Sequence, residues 1–195
     1  MPSWPIHEPS DGYGLYIHVP FCVRKCPYCD FASAVARRGD PRRYLEALAC
    51  ELSALPADFQ PTTMFIGGGT PTELSPASLQ RLMDLVRSSV RCDRVAEWTC
   101  EVNPGTFSLK KARILRAAGV NRLSIGAQSF HDPHLRWLGR IHRAAAIDEA
   151  VVLAREAGFE RISLDLMFAL PGQSVAQWME DVERALALGP DHLST

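Results

Sequence analysis

An α/β fold built on a parallel sheet wrapped by helices is the class this sequence predicts. Three observations predict it. Short runs rich in Val, Ile, Thr and aromatics alternate with longer stretches of three-to-four apolar spacing. The alternation repeats as five β-α units with no linker-like stretch between them. Gly, Pro or Asn closely follows each short run, as expected where a strand gives way to a loop.

The first dozen residues contain three prolines and read as a tail, so residues 1–13 are set apart from one domain over residues 14–195. Residues 14–19 are the first strand. Tyr44, Leu45, Leu48, Leu52 and Leu55 keep helical spacing. Residues 63–66 form the second strand. The next helix opens at Ser75-Pro76, a cap followed by a first-turn proline, and carries Leu79, Leu82, Met83, Val86 and Val90. Residues 97–102 are the third strand, and residues 109–118 a helix that stops at Gly119. Residues 122–125 and 161–166 are the fourth and fifth strands, with a helix over residues 147–157 between them that ends at Gly158. A helix over about residues 176–188 stops at Gly189-Pro190. His192-Leu193-Ser194 begins a sixth strand, and a chain that stops there points to a fragment of something longer. An open doubly wound sheet and a (β/α) barrel both fit this periodicity.

Composition narrows the function classes. The chain has 195 residues, 47% hydrophobic and 22% charged, with a formal net charge of −1. That excludes disorder and a disulfide mini-scaffold, and it argues against a nucleic-acid binder resting on a basic surface. No apolar run is long enough for a membrane span, and the N-terminus has no secretory pattern. A cytoplasmic location follows as the expectation. The six cysteines are then read as core residues, redox groups or metal ligands rather than disulfides.

Cys22-Val23-Arg24-Lys25-Cys26-Pro27-Tyr28-Cys29 lies on the loop after the first strand. Three readings compete. Cys26-Pro27-Tyr28-Cys29 alone matches a glutaredoxin dithiol, which leaves Cys22 unexplained. Structural zinc needs a fourth ligand, for which His18 is nearest. An iron–sulfur cubane takes all three thiolates and leaves one iron open for a substrate or cofactor. Cys50, Cys92 and Cys100 fit no ligand set and read as packing or incidental thiols. The Arg37-Arg38 and Arg42-Arg43 pairs read as a solvated face.

Four further motifs lie at strand ends. Gly67-Gly68-Gly69-Thr70-Pro71 is either a tight turn or a place where backbone approaches a ligand. Glu101, in Glu101-Val102-Asn103-Pro104, is a hydrogen-bond acceptor or a solvated charge. Gln128 follows Gly126-Ala127, and Arg140 on its own sequence reads as a surface arginine. Asp165 lies among apolar neighbours, where an acid needs a partner. Their common position matters, because the C-terminal rim of a β/α barrel is where sites are built.

The loop C-x3-C-x-aromatic-C after a first strand resembles the radical S-adenosylmethionine (SAM) family. Tyr16-Ile17-His18-Val19-Pro20-Phe21-Cys22 resembles the branch that contains oxygen-independent coproporphyrinogen III oxidases and heme chaperones. The likeness runs from Leu15 to Thr195. It implies a partial (β/α)6 TIM-like barrel with parallel strands, cut off at about strand 6. It implies that Cys22, Cys26 and Cys29 hold a [4Fe-4S] cluster whose open iron binds SAM. By the same likeness Tyr16, Tyr28, Gly68, Gly69, Thr70, Glu101, Gln128, Arg140 and Asp165 surround SAM. The family's chemistry is one-electron cleavage of SAM to a 5′-deoxyadenosyl radical, fed by a one-electron reductant protein.

One departure bears on the branch. In the oxidases another cysteine follows the third motif cysteine by two residues, and here that position is Phe31. This favours heme handling by a chaperone over decarboxylation of a porphyrinogen. The chaperones' heme motif lies in a C-terminal part that this chain lacks.

Overall fold

The computed structural model describes residues 12–195, so residues 1–11 of the expected tail lie outside the described residues. The elements are β1 (Tyr13–Val19), β2 (Phe21–Cys22), β3 (Ala34–Val35), α1 (Asp40–Ser53), β4 (Pro61–Gly68), α2 (Pro76–Ser89) and β5 (Glu97–Val102). They continue with α3 (Leu109–Ala118), β6 (Arg122–Gln128), α4 (Asp132–Trp137), α5 (Ala144–Glu156), β7 (Arg161–Leu166), α6 (Val175–Ala187) and β8 (His192–Ser194).

Six strands form one sheet in the order β1-β4-β5-β6-β7-β8. Every neighbouring pair is parallel. Right-handed crossovers between strands laid down in sequence put every helix on the same face. Accordingly α1 packs on α2, α2 on α3 and α3 on α5. A doubly wound sheet needs a reversal of strand order, and there is none. Of the two architectures compatible with the periodicity, the chain forms the barrel type.

The period of two along each strand separates two chemistries. Ile17, Val19, Met64, Ile66, Trp98, Cys100, Val102, Leu123, Ile125, Ile162 and Leu164 share one buried core with Leu48, Leu82, Val86, Leu115 and Ile147 of the helices. Ile66 sits beside Cys100, Cys100 beside Leu123 and Leu123 beside Ile162, so the apolar row crosses the sheet in register. Each such side chain contributes about 1.5–3 kcal/mol on burial. The intervening positions, among them His18, Glu101, Ser124 and Asp165, turn to the other face. There the first residues of β5, β6 and β7 tie the N-terminal rim together: Glu97 pairs with Arg122 at 3.6 Å and with Arg161.

Several boundaries differ from the sequence reading. β1 starts at Tyr13. α1 starts at Asp40, whose carboxylate accepts the Arg37 N–H at 2.8 Å, four residues ahead of the first apolar position at Tyr44. α5 begins at Ala144. The six-residue α4 is too short for a periodic signal and was not expected. The two-residue pair β2–β3, with Cys22 beside Val35, was not expected either. No helix among the described residues is long and apolar enough to cross a membrane.

Candidate functional site

A cavity of about 380 Å³ opens at the C-terminal rim of the sheet, on the face away from the helices. Cys22, Cys26, Cys29, Tyr28, Gly68, Gly69, Thr70, Glu101, Gln128, Arg140 and Asp165 all line it. These are the residues the sequence nominates, with one exception. Tyr16 lies on β1 outside the lining, its ring stacked with Phe65 at 5.9 Å between centroids. Its hydroxyl meets His18 Nδ1 at 3.1 Å.

The cysteine loop is held at both ends. The β2–β3 pair closes its neck, and Cys22 Sγ lies 3.7 Å from Thr70 Oγ1. His18 Nε2 donates to the Ala32 carbonyl at 2.7 Å, which leaves Nδ1 to accept from Tyr16. Both ring nitrogens of His18 are thereby engaged away from the thiols, so it does not complete a zinc site. Among the described residues no three His, Cys, Asp or Glu side chains converge on a point that could hold a single metal ion.

The glycine turn works differently from its sequence reading. The close approach is to the protein's own chain. A Cβ on Gly68 (φ +108°) would stand 2.5 Å from the His18 ring. One on Gly69 would stand 2.7 Å from the Phe21 carbonyl oxygen. The turn thus packs β4 against the strands that carry the cysteine loop, and its backbone still faces the cavity.

Two carboxylates share the polar wall. Glu101 accepts the Gly68 N–H at 3.0 Å. Burial, reinforced by the nearby Asp165 carboxylate, pushes its pKa up to about 7, against the opposing pull of the Gly68 N–H and His18. Burial also raises Asp165, while Ser124 Oγ, donating at 2.9 Å, works the other way. Lowering either pKa again needs a cation or a further donor, so this wall favours a ligand that brings one.

Arg140 supplies the opposite charge. Its Nη2 donates to the Gly126 carbonyl at 2.8 Å, while its buried Nε has no partner. Among the described residues no carboxylate pairs with it. A cavity-lining guanidinium that no carboxylate pairs suits a carboxylate ligand. Tyr28 lies beside it; burial raises the phenol, the Cys26 and Cys29 thiols reinforce that, and Arg140 opposes it. Gln128 reaches the lining through a bulge in β6, at φ +69°, where its pairing with β7 shifts by one residue.

The three motif cysteines are free thiols. Each cubane thiolate binds a different iron, so they need not converge on one point. The donor set therefore fits a cluster better than a single ion. The parallel sheet and the third cysteine on the same cavity do not fit a two-cysteine glutaredoxin module. The radical SAM superfamily model matches residues 16–185. The chain belongs to the radical SAM superfamily. That membership implies SAM and a [4Fe-4S] cluster. The heme chaperone HemW of Bacillus subtilis is 43% identical over 183 residues, covering 92% of this chain and 48% of the relative. HemW of Escherichia coli is 43% identical over 184 residues, covering 92% and 49%. The solved coproporphyrinogen III oxidase (HemN) of Escherichia coli is similar in structure, with TM-score 0.84 and 34% identity over 93% of this chain and 43% of that one. The chain thus spans about half the length of the curated relatives it matches.

Sequence reasoning missed several lining residues: Arg24, Phe31, Asn103, Ser124, Gly126, Ile141 and Met167. Ser124 had a readable signal, a polar residue between the buried Leu123 and Ile125. Arg24 had none, because its partners are more than a hundred residues away.

Proposed function

We propose that Cys22, Cys26 and Cys29 hold the [4Fe-4S] cluster, that SAM fills the rest of the cavity, and that the protein handles heme as a HemW-like chaperone. The observation that carries this reading is the joint presence, on one cavity, of three free thiols and an arginine that no carboxylate pairs among the described residues. Arg140 would receive the SAM carboxylate. Glu101 and Asp165 would accept from its amino and ribose groups, and Gly68, Gly69, Thr70, Tyr28 and Gln128 would shape the remaining wall. Tyr16 acts one step back, through His18. When bound, the cluster supplies a one-electron centre with an open coordination position. The chain's own work is ligation, orientation and exclusion of water.

Heme is assigned from the HemW relatives and from Phe31, which lines the cavity where the oxidase pattern has a cysteine. A one-electron reductant protein and the cytoplasm, where thiols stay reduced, belong to the same reading. The likeness to the HemN structure favours a second reading, oxidation of coproporphyrinogen.

The test is low-temperature EPR on anaerobically reconstituted, reduced protein. A cubane signal that shifts on adding SAM is expected, and Cys26→Ala should abolish it while leaving the melting temperature within about 2 °C. No signal from folded wild-type protein would overturn the assignment. Hemin titration against turnover of coproporphyrinogen then separates the two readings.

A further inference from the structure

We infer that Arg24 is a positioning residue: it latches the cysteine loop to the turn that carries Arg140 and so sets the spacing between the thiolates and the ligand-binding arginine. This rests on the reading proposed above.

Arg24 lies between Cys22 and Cys26 and is exposed. An exposed arginine ordinarily points into solvent or meets a carboxylate. Arg24 makes no ion pair among the described residues. Its Nη2 instead donates to the Gly139 carbonyl at 2.6 Å and to the Arg140 carbonyl at 3.3 Å. The Gly139 carbonyl also lies 3.8 Å from Cys26 Sγ, which places the seam directly beside one of the three thiols. The opposite side of the seam is equally specific. Gly139 has φ +69°, and a Cβ there would stand 2.8 Å from Pro27 Cδ.

The remaining fastenings of the loop run the other way, to β1 and the turns that follow β1 and β4, through His18, Pro20 and Thr70. The seam at Gly139 is where the loop's middle meets the α4–α5 turn. Arg140 is then fixed twice. Arg24 holds its backbone, and Gly126 holds one end of its guanidinium. The rest of the Arg140 side chain lines the cavity, and among the described residues no carboxylate pairs with it. Releasing the latch would leave both halves of the site intact but no longer in register. Supporting contacts of this kind are worth about 10–100-fold in ligand affinity.

The experiment titrates SAM calorimetrically into the anaerobically reconstituted 195-residue chain. It compares wild type, Arg24→Gln, Gly139→Ala, the double variant and Arg140→Gln. Iron per chain and melting temperature are recorded for each. The latch requires Arg24→Gln to weaken SAM binding by about tenfold or more with iron content unchanged. Gly139→Ala, which pushes the same seam apart from the other side, should do likewise. The double variant should lose no more than the worse single one, because both break one contact. A merely structural role would lower the melting temperature and leave SAM affinity alone. If Arg24→Gln binds SAM within about twofold of wild type while Arg140→Gln does not bind, the latch is wrong and the site reading stands. Losses that multiply in the double variant also overturn it. If Arg140→Gln binds SAM normally, the site reading fails and the latch with it.

Discussion

Glu97 and Glu101 lie on the same strand and the same face, four residues apart, in opposite surroundings. Glu97 opens β5 at the N-terminal rim, where Arg122 and Arg161 neutralise it. Glu101 lies near the strand's other end, where its company is a second carboxylate, and its pKa is pushed up to about 7. The lower rim is electrostatically complete. The upper rim is left incomplete: one acid waits for a cation, and one cavity-lining arginine has no carboxylate partner among the described residues. A fold that satisfies its charges at one end and withholds satisfaction at the other has divided stability from binding along a single strand.

The largest effect that would break this contrast lies at Glu101. Its carboxyl keeps a proton in the folded state up to about pH 7, whereas an unfolded glutamate releases it near 4.5. Between those values the native carboxyl binds more protons, so its contribution to stability falls as pH rises through the window, while buried His142, held down at about 4, contributes the opposite slope up to about pH 6.5. The full window corresponds to about 3 kcal/mol. Relative to wild type, Glu101→Gln should gain urea-unfolding stability progressively from pH 5 to pH 8, while weakening SAM binding. A difference between variant and wild type that stays constant over that range would refute the contrast.

Glu97→Gln should do the reverse. It strips a partner from Arg122, whose side chain is only 15% exposed, and should cost about 1–2 kcal/mol without touching SAM affinity. The smallest effect belongs to a pair outside both rims. Arg42 and Glu46 meet at 2.9 Å on the outside of α1, with side chains 67% and 48% exposed. Arg42→Ala should change stability by less than about 0.5 kcal/mol by the same denaturation measurement. Together the three variants rank charge by surroundings rather than by proximity to a partner.

The sequence made one part of this contrast readable. Strand ends and helix stops were marked by residues with a mechanism: Ser75 caps α2, and Gly119 ends α3 at φ +110°. The cysteine spacing and the polar residues at successive strand ends mark in the sequence most of what lines the cavity. What could not be read depends on pairing across distance. Periodicity does not say which strands become neighbours, so it left singly and doubly wound sheets equal. Tyr16 resembles a cavity residue by its position ahead of the cysteines, but the stacking of its ring with Phe65 is a tertiary contact. The glycine turn announced close approach without saying to what. Arg24 looked like any loop arginine until Gly139 was brought beside it.

The missing side chain of Gly68 has an evolutionary consequence. Its place is taken by the His18 ring, and His18 in turn holds the carbonyl of Ala32 where the cysteine loop returns. Any side chain at position 68 therefore reaches the loop through an intermediary. Among homologues, position 68 is expected to stay glycine even where position 18 changes, because at φ +108° a side chain is strained whatever space the imidazole leaves. Either replacement alone leaves a crowded turn or an unfastened loop. The glycine is therefore held by its backbone as well as by its neighbour, and it should be the more persistent of the two.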